Sequence, residues 1–284
     1  MKLSGVYLML VATFFFALMN VLVKLVPGIP SVEIVFFRSV ISLVISGAIL
    51  TARRINVWGT NRRLLFLRGG VGAVSLILYF YTLQKIPLAS AVTIQFMAPV
   101  FTAILGVFMA KEKVSPIQWL FFAISFAGVV VIQGYDERLT MTYLLIGIVA
   151  AFFAGMAYNI IRIINVREHP LVIVFYFPLV TLPVTGGLSA FNWVMPQGWE
   201  WLLLLALGVV VQVAQTLMTM AYQREELSKI ASLKYIGIIY ALGFGWLLFG
   251  EEFNFMTYTG MLLVITGVGL NVYYKKMQKT TTTG

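Results

Sequence analysis

Residues 4–26 read SGVYLMLVATFFFALMNVLVKLV, and Lys24 is the first charged residue within them. An α-helix needs about 20 mostly apolar residues to cross the hydrocarbon core of a bilayer. The stretch is too long for the hydrophobic part of a signal peptide, and no A-x-A-like cleavage site follows it. It therefore predicts a first membrane-spanning helix that the mature protein retains.

The same pattern recurs along the rest of the chain and predicts ten spanning helices. Strands of a membrane barrel would show about ten residues of alternating polarity, whereas these segments are apolar on all sides and about twice as long. The sequence therefore predicts an all-α membrane protein without an inserted soluble domain. The predicted segments are 4–26, 31–51, 64–84, 88–110, 116–134, 141–164, 170–190, 200–222, 228–249 and 256–274.

The composition agrees with a chain that is surrounded by lipid. Hydrophobic residues make up 61% of the sequence and charged residues 11%, whereas soluble domains hold roughly 45–50% and about 25%. With no cysteine and a single histidine, His169, the chain excludes disulfides, thiol catalysis and Cys- or His-based metal sites. No cofactor is expected, and the net charge of +10 is assigned to loops at the membrane surface rather than to nucleic-acid binding.

Lysine and arginine are concentrated on one side of the predicted bundle. The loops that share a side with the N-terminus hold most of them, whereas the other side keeps Lys85 and Arg138, with Lys24 near a helix end. Because cytoplasmic loops are enriched in positive residues, both termini are expected in the cytoplasm, and the chain is expected in a bacterial-type inner (plasma) membrane. The positive residues on the N-terminal side are Arg53, Arg54, Arg62, Arg63, Lys111, Lys113, Arg167 and Arg224, with Lys2, Lys275, Lys276 and Lys279 at the chain ends.

The chain also resembles itself at an offset of 139 residues. This offset predicts two five-helix repeats, 1–138 and 139–279, followed by a disordered tail, 280–284. An odd number of helices inverts the second repeat, and inverted repeats are typical of secondary transporters with a substrate site near the midplane. The pairs related by the offset include Asn20 and Asn159, Phe36 and Phe175, Gly47 and Gly186, Gln84 and Gln223, Glu112 and Glu251, and Gly128 and Gly267.

Several motifs resemble a known family of membrane transporters. The stretches Phe16–Lys24, Glu33–Arg38 and Pro87–Val92, then Ala98-Pro99 and Glu112, resemble the EamA branch of the drug/metabolite transporter superfamily. The resemblance implies ten helices in two inverted five-helix repeats, around a cavity lined mainly by the first, third, fourth, sixth, eighth and ninth helices. It also implies transport of small organic metabolites such as amino acids, nucleotide-like compounds, sugar derivatives or vitamins.

Polar residues within the hydrocarbon are costly, so they mark candidate solute-binding positions. Lys234 lies well inside the ninth predicted helix, and the offset pairs it with Gln95 on the fourth. Lys234 would attract a carboxylate or phosphate, and Gln95 would hydrogen-bond the solute. The alternative for Lys234 is that its ammonium group extends to the membrane surface.

Further candidates lie on other predicted helices. Tyr158 and Arg162 are four residues apart on the sixth helix and share a face. For these residues and for the amides and phenols, the alternatives are interfacial anchoring, hydrogen bonds between helices or plain packing. The remaining candidate binding residues are Asn20, Tyr79, Gln215 and Tyr235.

Structural roles are predicted for other charged residues and for one proline. Arg38 is expected to pair with Glu33 or with carbonyls at a helix end, and Arg68 to extend to the membrane surface. Glu112 and Glu251 would hold the N-termini of neighbouring helices, with solvation in loops as the alternative. Pro99 is expected to interrupt the fourth helix near Gln95.

The sequence favours a transporter that works as an exchanger or facilitator. Proton-coupled pumps usually use a buried carboxylate or histidine relay, and none of the ten acidic residues falls at a predicted midplane. Proton coupling through Lys234, a proton-coupled drug exporter and a lipid-headgroup flippase stay open as alternatives. No catalytic constellation lies at depth, so an enzyme is not expected. The expected partners are a small organic solute, anionic if Lys234 binds it, and the lipid bilayer, as a monomer or a homodimer.

Overall fold

The computed structural model describes residues 4–109, 114–164, 168–224 and 232–282. Within these residues the chain is helical and contains no strand. A short 3₁₀ turn, Ser232–Tyr235, precedes the tenth helix. The helices are Gly5–Lys24 (α1), Ser31–Ala52 (α2), Arg62–Lys85 (α3), Leu88–Gln95 (α4), Ala98–Met109 (α5), Pro116–Tyr135 (α6), Met141–Ile164 (α7), Pro170–Ser189 (α8), Trp199–Arg224 (α9), Ile236–Phe249 (α10) and Phe255–Thr282 (α11).

The described residues contain nine helical segments that are long and apolar enough to cross a membrane. One of them, Leu88–Met109, combines α4 and α5. The ninth predicted span is represented by the shorter apolar helix Ile236–Phe249, and residues 228–231 at its predicted start lie outside the described residues. The last predicted segment, 256–274, ends too early, because α11 continues to Thr282. No glycine or proline follows Gly269 in this helix to end it.

We call the end of the bundle at which α1 and α3 begin the terminal face, and the end at which they finish the opposite face. Successive membrane-spanning segments begin at alternate faces, with α4 and α5 counted as one segment. Therefore α7 begins at the opposite face, whereas α1, its counterpart in the first repeat, begins at the terminal face. The second repeat is thus inverted relative to the first.

Contacts between α2 and α8 show the symmetry of this inversion. Gly47 near the end of α2 faces the ring of Phe175 near the start of α8, and Gly186 near the end of α8 faces the ring of Phe36 near the start of α2. The offset of 139 residues converts each contact into the other. Since the beginning of each helix meets the end of its counterpart, α2 and α8 are antiparallel.

The remaining helices pair in the same symmetric way. Helix α1 packs on α9, and their counterparts α7 and α3 pack on each other. Helix α10 contacts α1, just as α5 contacts α7. The two repeats are therefore interleaved, because most helices have their main neighbour in the other repeat, and neither repeat buries its apolar surface alone.

Glycines allow α6 and α11 to approach closely. A Cβ at Gly128 would lie 2.6 Å from the Gly260 carbonyl oxygen and 2.8 Å from the Val264 nitrogen. At the position related by the offset, a Cβ at Gly267 would lie 2.6 Å from the Phe121 carbonyl oxygen. Only a hydrogen fits at these points, which explains the repeated glycine pair through packing of helix backbones.

Glu168, in the connection between α7 and α8, binds the loop in front of α3. Its Oε1 accepts hydrogen bonds from the backbone N–H of Thr60 and of Asn61, both at 2.5 Å, and from the Thr60 hydroxyl at 2.6 Å. Burial alone would raise the pKa of this carboxyl, but the three hydrogen bonds together lower it below the ordinary value of 4.5. The ionised carboxylate therefore joins the two repeats at the terminal face.

Substitution Glu168→Gln is expected to destabilise the protein by about 1–3 kcal/mol at neutral pH, since charge-assisted hydrogen bonds are stronger than neutral ones. Because the pKa is lower in the folded state, the contribution of Glu168 is complete above 4.5 and is lost as the pH falls through the folded-state pKa. Thermal unfolding in detergent at decreasing pH measures this. The wild type and the variant should converge in acid, and Glu137→Gln, at an exposed position, should change little at any pH. A difference that is independent of pH would contradict this account.

Candidate functional site

The fourth span is interrupted where it faces the start of α10. Helix α4 ends at Gln95 and α5 begins at Ala98, because Pro99 has no N–H to donate to the carbonyl of Gln95. The predicted interruption at Pro99 is thus confirmed. In the second repeat, the 3₁₀ turn ends at Tyr235 and α10 begins at Ile236. The offset pairs Tyr235 with Phe96, the first residue after α4, so α10 begins at the position that corresponds to the interruption in the first repeat.

The interruption in the fourth span lies against the beginning of α10. A Cβ at Gly237 would be 3.6 Å from the Phe96 ring and 3.4 Å from the Thr13 methyl group. At the end of α4, the side-chain oxygen of Gln95 is buried and has no hydrogen-bond partner. A buried acceptor without a partner suits a ligand that brings an N–H or O–H group.

The structure brings Lys234 and Tyr158 together. The Lys234 ammonium nitrogen lies 5.4 Å from the centre of the Tyr158 ring, a cation–π distance. Tyr158, in the last two turns of α7, is 39% exposed. Both residues were predicted from the sequence, but their contact was not.

Tyr158 also connects this pair to the first repeat. It belongs to α7, which packs on α3, the helix of Arg68 and Tyr79. Tyr79 in turn donates a hydrogen bond to Asn20 Oδ1 at 3.2 Å, which joins α3 to α1. Four predicted candidates, Lys234, Tyr158, Tyr79 and Asn20, therefore belong to one region between the repeats.

The other candidates are placed less closely. Gln215 is part-buried on α9, a helix that packs on α1 and α2. Asn159, the counterpart of Asn20, donates to the Thr102 carbonyl at 2.9 Å and so joins α7 to α5, as the packing alternative predicted. The side chains of Arg162 and Tyr235 lie outside the described residues.

Two arginines take positions that the sequence did not predict. Arg38 does not pair with Glu33, because the Glu33 carboxylate accepts the Val194 N–H at 3.0 Å instead. Arg68 does not extend to the membrane surface. Both guanidinium groups lie against the ring of Phe177, at 5.0 Å for Arg38 and 4.6 Å for Arg68. One signal in the sequence pointed to these positions: two consecutive spans each contain an arginine within an apolar helix.

The interior of the bundle is cationic over the described residues. Lys234, Arg68 and Arg38 lie within it, whereas acidic side chains occur only at helix ends or in connections. These acidic residues are Glu33, Asp136, Glu137, Glu168, Glu200, Glu251 and Glu252.

At the opposite face, a cluster of polar contacts surrounds Glu251. Its carboxylate accepts the Leu88 N–H at 2.8–2.9 Å and forms an ion pair with Lys24 at 2.5 Å. Lys24 also donates to the Ile86 carbonyl at 2.8 Å. Glu251 thus binds the N-terminus of a neighbouring helix as predicted, and it joins the second repeat to the first. Its counterpart Glu112 lies outside the described residues.

The fold, the interrupted fourth span and the polar centre are those of a multi-pass membrane transporter. Comparison with known families supports this class. The chain belongs to the EamA-like transporter family, whose profile matches residues 3–134 and again residues 141–273. The predicted fold of ten transmembrane helices in two inverted five-helix repeats is confirmed, with one family match for each repeat.

Individual relatives are transporters as well. The chain is 33% identical over 265 residues to the pseudopaline exporter CntI of Pseudomonas aeruginosa (strain UCBPP-PA14), covering 92% of this chain and 93% of the relative. It is 27% identical over 299 residues to human solute carrier family 35 member G1, covering 95% and 80%. A solved structure titled "Crystal structure of protein" superposes with a TM-score of 0.69 at 17% identity, covering 96% and 98%, which supports the fold alone. The protein is therefore a membrane transporter of small metabolites.

Proposed function

We propose that the protein moves small organic anions across the membrane as an exchanger or facilitator. The observation that carries this proposal is the charge of the interior: over the described residues, cations lie within the bundle and carboxylates lie at its ends. A site lined by cationic side chains attracts solutes that carry a carboxylate or phosphate.

Lys234 and Gln95 take complementary roles in the proposed site. Lys234, held over the Tyr158 ring, binds the acidic group of the solute. Gln95 presents an acceptor that has no protein partner, so it suits an amino, amide or hydroxyl group on the same solute. Tyr79 and Asn20, already hydrogen-bonded to each other, form the wall on the side of the first repeat.

The architecture supports alternating access around this site. A broken helix between two inverted repeats is typical of transporters in which the repeats rock around a fixed site, and the fourth span of this chain is broken between Gln95 and Ala98. We propose that the terminal face is cytoplasmic, since its loops carry Arg53, Arg54, Arg62 and Arg63, and that the protein resides in a bacterial-type inner membrane. The name of the relative CntI, an exporter, favours efflux.

Thermal unfolding of the purified protein in detergent tests the proposed substrate class. Glutamate, citrate and AMP serve as anionic probes, and putrescine and glucose as cationic and neutral ones. A ligand at about 100 times its Kd should stabilise the wild type by roughly 2.7 kcal/mol. At least one anion is expected to raise the melting temperature, and Lys234→Gln should weaken its binding about tenfold or more, since a charge-assisted contact is lost.

The matched control is Lys85→Gln. Lys85 is exposed at the opposite face, so this variant removes one positive charge and should leave the anion-dependent shift intact. Stabilisation by putrescine or glucose only, or an equal shift in wild type and Lys234→Gln, would contradict the proposed function.

A further inference from the structure

The guanidinium groups of Arg38 and Arg68 share one aromatic ring and have no anionic partner in the described structure. Arg38 is 4% exposed, and its Nε and Nη1 are buried without a hydrogen-bond partner. The same two nitrogens of Arg68 are also buried without a partner. The Phe177 ring lies 5.0 Å from one guanidinium and 4.6 Å from the other.

Such an arrangement is unfavourable unless an anion joins it. A cation–π contact contributes about 0.5–2 kcal/mol, whereas an ion that is taken out of water without a partner costs several kcal/mol. The nearest carboxylate along α2, Glu33, binds Val194. The other described acidic residues lie at helix ends, so among them none compensates the two arginines.

The surroundings hold the arginine pair in place and offer a further donor. Gly72 brings the α3 backbone close to the Phe177 ring, since a Cβ at this position would lie 2.9 Å from the ring and 3.6 Å from Arg68 Nη1. The buried hydroxyl of Ser42, one turn after Arg38 on α2, also has no partner. Guanidinium groups bind carboxylates and phosphates through pairs of parallel N–H donors. Four unpartnered guanidinium nitrogens therefore match one carboxylate or phosphate.

The arginine pair lies on a helix that neighbours the proposed solute site. Arg68 belongs to α3, which packs on α7, and α7 carries Tyr158, whose ring lies beside the Lys234 ammonium group. A solute that reaches both places contacts Lys234 with one end and Arg68 with the other.

We propose that Arg38 and Arg68 form a second anion-binding subsite, so that the transported solute carries two acidic groups, one at Lys234 and one at the arginine pair. This inference rests on the proposed function, since it assigns the second half of the same solute. Phe177 and Gly72 fix the position of the subsite, and Ser42 adds a neutral donor.

Because the chain has no cysteine, single cysteines test this subsite without knowledge of the natural solute. Arg68→Cys places a thiol beside Arg38, and Arg63→Cys places one on the same helix at its exposed end. Each variant is labelled with an anionic (sulfonatoethyl) and a cationic (trimethylammonioethyl) methanethiosulfonate. At Arg68→Cys the ratio of anionic to cationic labelling rates should exceed that at Arg63→Cys by roughly tenfold or more, because Arg38 attracts the anion at short range in low dielectric.

The added substitution Arg38→Gln in the Arg68→Cys background should abolish this preference. Absence of labelling at position 68, or equal preference at both positions, overturns the proposal. Unfolding of Arg38→Gln and Arg68→Gln gives a second readout. Loss of an unpaired buried cation should leave the ligand-free melting temperature unchanged or higher, whereas a structural role for the arginines predicts a decrease.

The number of acidic groups is tested with glutarate and butyrate, which have similar chain lengths but two carboxylates and one. In lipid-free detergent, glutarate should protect Arg68→Cys from the anionic reagent more strongly than butyrate. Protection only by added phosphatidylglycerol would assign the subsite to a lipid headgroup and overturn the two-acid solute. Anion preference at position 68 together with unchanged binding in Lys234→Gln would retain the subsite and reject the proposed function. Weaker binding in Lys234→Gln together with no anion preference at position 68 would retain the proposed function and reject the subsite.

Discussion

Gly267→Ala is expected to destabilise the protein by about 2–3 kcal/mol or more, although alanine is the better helix former by roughly 1 kcal/mol. The added methyl group would lie 2.6 Å from the Phe121 carbonyl oxygen. This oxygen belongs to the backbone of α6, so it cannot move aside as a flexible side chain would. The two helices must separate, and the contacts along their whole interface weaken. Thermal unfolding in detergent, followed by loss of the monodisperse peak, measures the effect.

Gly269→Ala provides the matched control on the same helix. Its Cβ would meet no atom within 4 Å, so the variant should be as stable as the wild type or slightly more stable. Equal melting temperatures for Gly267→Ala and Gly269→Ala would show that α6 and α11 do not depend on close backbone contact.

Glu251→Gln is expected to have a comparable effect, about 3 kcal/mol, because it leaves Lys24 without its anion. The two side chains are 16% and 6% exposed, so water replaces the lost partner poorly. The variant also weakens the hydrogen bonds to the Leu88 N–H. Since the cluster connects the repeats at the opposite face, its loss should raise the accessibility of that face to labelling reagents as well as lower the melting temperature.

The neighbouring Glu252→Gln is the control, since Glu252 carries the same charge but is exposed. A double-mutant cycle with Lys24→Met separates the ion pair from the helix cap. Coupling of at least about 1 kcal/mol between Lys24 and Glu251 is expected for residues in direct contact. Additive effects would show that Glu251 acts through Leu88 alone.

Most of the fold could be predicted from the sequence, for identifiable reasons. A spanning helix needs only length and apolarity, which the sequence displays directly. The offset of 139 residues adds the inversion, because it relates Phe36 to Phe175 and Gly47 to Gly186 before any contact is known. The weakest predictions were at ends, as for the continuation of α11 to Thr282, since helix termini depend on local stop signals rather than on the bilayer.

The candidate site could be predicted only in part. The repeat offset identifies equivalent residues, such as Gln95 and Lys234, but it does not show which side chains from different helices meet. The contact of Lys234 with Tyr158 and the stacking of Arg38 and Arg68 on Phe177 depend on helix rotation and on side-chain rotamers. Treated as an isolated charge in the sequence, Arg68 was predicted to extend to the membrane surface. The sequence could not show the Phe177 ring of α8, against which the guanidinium lies.

The α2–α8 contact has a mechanical consequence. Exchanging the two repeats turns the meeting of Gly47 with Phe175 into that of Gly186 with Phe36, so the contact lies on the pseudo-twofold axis. In an inverted-repeat transporter, the inward- and outward-facing states can arise when the two repeats exchange their conformations. In that case a contact on the axis is the same in both states, and the repeats turn about it. Under the same condition, an off-axis contact such as Lys24 with Glu251 can differ between the two states. Substitutions in the α2–α8 contact should therefore shorten the lifetime of the folded protein without favouring either state. Substitutions of Lys24 or Glu251 should instead change the ratio of the inward- and outward-facing states in the absence of solute.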